Sequence, residues 1–167
     1  MTTDATTWSN QIAERINCYG LADWLRQLAA WLNTTPHGLI PVAPVDRLEI
    51  DLPERGLHLI FNHPHAGNTA IADFDRWVLE QAIFYPSAAL PFGLDAQVET
   101  SASAQAKLGD DSAGGSPRNI AAGDRRISCF LDDARVVELS FGPQMTGLTR
   151  VWLVRLGRAQ LFDERML

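Results

Sequence analysis

Cysteine, histidine and positive charge are all scarce in this chain, and each scarcity closes off a class of function. Of 167 residues two are cysteines, Cys18 and Cys129, and four are histidines. Met1 to Asn10 lack the basic start and apolar run of a secretory leader, which predicts a cytoplasmic protein. In a reducing compartment the two cysteines read as buried thiols, and no disulfide is expected. No stretch approaches the roughly 20 apolar residues of a membrane span, so no membrane partner is expected. Lys and Arg number 14 against 20 Asp and Glu, a formal charge of -6, and the cations are scattered rather than gathered into a stripe. Affinity for nucleic acid comes from cations that displace condensed counterions. Nucleic acid is therefore set aside as a partner, and a basic protein takes its place.

Signatures of catalysis are missing too. No Gly-x-Ser-x-Gly surrounds Ser128, Cys129 or Ser140, and Cys129 falls inside a predicted strand, where apolar surroundings keep a thiol protonated and inert. Gly114-Gly115-Ser116 has no lysine placed to meet phosphates, so the glycines mark a loop. No catalytic residue, cofactor or metal ligand is assigned, and the chain is not expected to be an enzyme.

What is present is the material of one α+β domain covering residues 1–167, since 46% apolar and 20% charged residues are ordinary globular usage. Apolar residues recur at Trp8, Ile12 and Ile16 and, past Tyr19-Gly20, at Leu21, Trp24, Leu25, Leu28, Trp31 and Leu32. One apolar stripe at this spacing predicts a short helix and then a longer one, packed into the core and ended by Asn33 to Gly38. Leu48 to Leu52 and Leu57 to Phe61 alternate as half-buried strands, and Pro53-Glu54-Arg55-Gly56 supplies the turn of a hairpin. Ala70 to Tyr85 fits helix and strand alike; we read a third strand near 70–78. Leu90-Pro91-Phe92-Gly93-Leu94 predicts a buried connector, Thr100 to Leu108 a short helix stopped at Gly109, and Gly109 to Asp124 a flexible loop.

Arg126 to Leu131, Val136 to Phe141 and Leu148 to Leu156 predict a second three-stranded meander. Its strands are apolar on both faces, so helices, the other half or a second copy of the chain must cover the further face. Trp152 and Val154, opposite Val151 and Leu153, are the expected self-association residues of a homodimer. Both halves run helix, connector, hairpin and third strand, a pattern of two pseudo-repeats at about 8–85 and 90–157.

Two groups of polar residues remain. His58, His63 and His65 lie close together, and with Asp73 or Asp75 they offer ligands to a metal-dependent or hydrolytic enzyme; surface histidines in a hairpin exit are the commoner case. If Leu48, Ile50 and Leu52 point to the core, then Glu49 and Asp51 point away. With His58, Asp73 and Asp75 they make an acidic patch on the open side of the first meander, or simply a solvated face.

Gly38-Leu39-Ile40-Pro41, the run from Leu48 to Phe61, and Leu90-Pro91-Phe92-Gly93-Leu94 ahead of Ala106-Lys107-Leu108-Gly109 form a succession that resembles small bacterial immunity proteins of the S-type pyocin and polymorphic-toxin kind. The helix-then-meander units also resemble outer-membrane assembly lipoproteins and β-lactamase-inhibitor proteins. The resemblance implies an antitoxin that binds and neutralises a cognate toxin, a bacteriocin or secreted polymorphic toxin with a basic nuclease domain. We place that toxin on Glu49, Asp51, His58, Asp73 and Asp75, because an acidic surface mimics the polyanion a nuclease binds. An adaptor or chaperone of a secreted effector is the remaining alternative.

Overall fold

A computed structural model describes residues 4–18, 20–39, 47–63, 76–108, 118–119, 125–132 and 134–156. Helix α1, Ala5–Arg15, opens where the Asp4 carboxylate accepts the Thr7 N–H at 2.8 Å, and it turns Trp8, Ile12 and Ala13 inward. Two residues beyond its end, Asn17 adopts φ +66° and donates its N–H to Leu79 O at 2.9 Å. Helix α2, Ala22–Trp31, buries Trp24, Leu25, Leu28 and Ala29. The expectation of a short helix before a longer one does not hold: α1 has 11 residues and α2 has 10, because the Asp4 cap extends α1 upstream of its first apolar residue. A short helix α3, Pro36–Leu39, lies within the segment read only as a stop.

The hairpin forms as its alternation predicts, from β1, Arg47–Leu52, and β2, Leu57–Asn62. Its turn is a single 3₁₀ turn, Pro53–Arg55, closed by Gly56 at φ +60°. Gly56 is also packed from outside, since a Cβ there would lie 2.7 Å from Ala88 N, and its carbonyl accepts the Tyr85 N–H at 2.8 Å.

The third strand, β3, is Val78–Phe84; most of the strand read near 70–78 falls on residues 64–75, which lie outside those described. Phe61 pairs with Leu79 but Ile60 with Gln81, so Glu80 is extra and Leu79 and Ala82, three apart, share the core face.

The connector is a 3₁₀ turn, Pro91–Gly93, between buried Leu90 and Leu94. Helix α4, Ser101–Leu108, follows. The loop expected over 109–124 contains a strand, β4, Arg118–Asn119, paired with β5, Arg126–Asp132. The meander then completes through β6, Arg135–Phe141, and β7, Leu148–Arg155.

All seven strands form one antiparallel sheet in the order β1-β2-β3-β7-β6-β5-β4, so the two meanders join along a central β3–β7 seam. One hydrophobic cluster joins the inward residues of α1, α2 and α4 to Leu48, Leu59, Phe61, Leu79, Val137, Leu139, Val151 and Leu153. Trp24 sits between Trp8 and Phe61, with ring centroids 6.5 and 6.3 Å away. The helices thus serve one face of the sheet. No helix among the described residues is long and apolar enough to cross a membrane.

Candidate functional site: the open face of the sheet

Because side chains alternate along a strand, fixing the core face also fixes the other. On that open face, register partners join into continuous rows. One row runs Asp51, His58, Ile83, Trp152, Glu138, Ser128 and crosses the six strands β1, β2, β3, β7, β6 and β5. Beside it runs Glu49, Ile60, Gln81, Val154, Val136, Phe130. A shorter third row is Arg150, Ser140, Arg126. Ile60 and Val78 are buried yet lie outside the hydrophobic cluster, as expected of side chains on this second face.

The face is graded in charge. At the β1 edge the side chains of Glu49 and Asp51 are 47% and 65% exposed, so water screens them and leaves them open to a partner. His58 stands between them, with Nε2 3.3 Å from Glu49 Oε2 and Nδ1 3.5 Å from Asp51 Oδ1. Arg47 Nε lies 2.8 Å from Glu49 Oε1, leaving Asp51 the more accessible carboxylate.

Toward the other edge the arrangement reverses. Glu138, its side chain only 11% exposed, takes a hydrogen bond from Arg150 Nη2 at 2.9 Å and lies 3.7 Å from Arg126 Nη1. Between the two ends Trp152 lies half-buried, its indole N–H donating to Gln81 Oε1 at 3.2 Å and its ring 5.4 Å from the Arg150 guanidinium. Ile83 pairs with it, and Val154, Val136 and Phe130 continue the adjoining row, all half-buried. The face therefore runs from carboxylates, across an aromatic and aliphatic centre, to guanidinium groups.

Of the residues singled out in the sequence, Glu49, Asp51 and His58 come together here; Asp73, Asp75 and His65 lie outside the described residues. Trp152 and Val154 occupy the face opposite Val151 and Leu153, as their parity requires. His63 stands five residues beyond His58, about 16 Å along an extended chain, with its ring edge-on to Trp77 at 5.4 Å. Among the described residues no three His, Cys, Asp or Glu side chains cluster closely enough to hold a metal. Both cysteines are free; burial pushes the Cys129 thiol up, whereas Cys18 is half-buried instead of fully buried.

The reading of residues missed Glu138, Arg126 and Arg150. Strand parity placed them on the open face, but only the register of three strands makes them neighbours. Away from this face, a cavity of about 250 Å³ opens between α1, the hairpin turn and residues 84–89, lined by Ile12, Trp31, Arg55, Leu57 and Phe84. The chain matches no protein-family model, no curated protein and no solved structure.

Proposed function

We propose that this chain is an immunity protein: it binds a cognate toxin through the open sheet face and blocks it by occupancy. The supporting observation is the segregation of the fold, with α1, α2 and α4 on one side and a wide, chemically graded sheet surface on the other. A basic toxin domain sets its Lys and Arg against Glu49 and Asp51, and Trp152 with its aliphatic neighbours supplies the apolar anchor near the centre, where aromatic residues contribute most to binding. The action is stoichiometric and is expected in the cytoplasm, where a toxin must be held before it reaches its target. Co-expression with the toxin encoded in the adjacent reading frame restores growth on this reading. Continued arrest while both proteins are soluble and abundant contradicts it.

A further inference from the structure

The charge gradient has a second consequence that does not depend on a toxin. We infer that, in the absence of another partner, a second copy of this chain covers the open face, in a two-fold dimer whose axis runs along the β3–β7 seam. A two-fold that brings two sheet faces together lies in the sheet plane, and one parallel to the strands exchanges the two halves. Given the order β1-β2-β3-β7-β6-β5, it sets β1 over β5, β2 over β6 and β3 over β7 of the second copy.

The rows then match in chemistry. Asp51 falls over Ser128 of the second copy, which is two residues along β5 from Arg126, and His58 falls over Glu138. Ile83 falls over Trp152 and Gln81 over Val154, while Ile60, over Val136, is already buried within its own chain. Asp51 of each protomer thus lies over the strand that carries Arg126 in the second copy, Glu49 falls over Phe130, and Ile83 and Trp152 meet at the centre. Twisted sheets stack with strand directions about 30° apart, which shifts the outer strands by about two residues and keeps Asp51 within reach of the Ser128 and Arg126 neighbourhood.

The area is adequate. Six strands about 4.8 Å apart and about 20 Å long present roughly 500 Å² per protomer. Two such faces bury about 1,000 Å² in all, the lower bound for a specific interface.

Sedimentation of the full chain alone tests this. The wild type is expected to sediment as a dimer that dissociates on dilution, and Trp152→Glu as a monomer. Ser128→Glu, which sets a carboxylate opposite Asp51 of the second copy, weakens association about tenfold or more, and adding Asp51→Lys to it restores most of the loss. The rescue separates a facing pair from mere loss of fold, and circular dichroism confirms that each variant is folded. A wild-type monomer at its solubility limit overturns the inference. So does a dimer that folded Trp152→Glu leaves intact, or a double variant no tighter than Ser128→Glu. Because no toxin is present, none of these results bears on growth rescue, so the two readings fail separately.

Discussion

Glu99 shows how much of this fold rests on one side chain that does not face a partner. It is 1% exposed and accepts hydrogen bonds from Asp95 N–H at 2.9 Å, Lys107 Nζ at 2.7 Å and the Ser103 hydroxyl. Lys107 also reaches Gly93 O at 2.8 Å, and Glu99 O accepts the Gly147 N–H at 2.8 Å. The carboxylate therefore fastens the connector to α4, while the main-chain carbonyl of the same residue holds the β6–β7 loop. Burial pushes its pKa up, but the bonds from Lys107, Ser103 and Asp95 together outweigh burial and hold it below its ordinary 4.5. A lowered folded value means that this stabilisation is complete above about pH 4.5 and disappears as pH falls through the folded value. Asp132 adds to the same acid limb: burial raises its pKa, and bonds from Ala134 N–H and Arg135 more than offset that. Glu99→Gln is expected to cost about 2 kcal/mol at neutral pH, less than a fully buried pair because Lys107 is partly solvated. Urea unfolding checks the loss, and the variant's stability should fall less steeply between pH 5 and the acid midpoint. An unchanged acid limb would assign the titration to other groups. The partners of the Glu99 carboxylate all lie within eight residues of it, but only the turn from the connector into α4 brings them round it.

Among the elements, the ones that keep their period were legible and the ones that break it were not. The stripe from Trp8 to Trp31 and the alternation of Leu48, Ile50, Leu57, Leu59 and Phe61 gave both helices and the first hairpin. The strands β5, β6 and β7 lie within a residue or two of their expected bounds. The extra Glu80 put β3 out of phase with itself. Further irregularities, at Phe130/Asp132 and at Ser140/Phe141, set the cross-strand rows of the second meander, so the grouping of Arg126, Glu138 and Arg150 was not readable from parity alone. The turn at Gly56 was read for its φ, but its contact with Ala88 was not. Gly56→Ala combines a left-handed backbone with that contact and is expected to cost about 2 kcal/mol. Thermal unfolding measures it; a loss no larger than for an exposed Ala substitution would mean that the 85–88 turn moves aside without cost.

The whole molecule divides its labour between the two faces of one sheet: one is spent on the core, and the other is left as a surface graded from carboxylate to guanidinium. The central claim is that the acidic edge of this surface steers a basic toxin into place. Steering of this kind acts on the association rate and is screened by salt over about 10 Å at 0.1 M. The direct test is the association rate of the proposed basic toxin domain with wild type and with Glu49→Lys/Asp51→Lys, each across a range of ionic strength. Both substituted side chains are solvent-exposed, so the fold should survive. The account predicts association slower by about tenfold or more for the double variant, with a flattened salt dependence and a smaller change in dissociation. A folded double variant that binds with unchanged rate and unchanged salt dependence would contradict it.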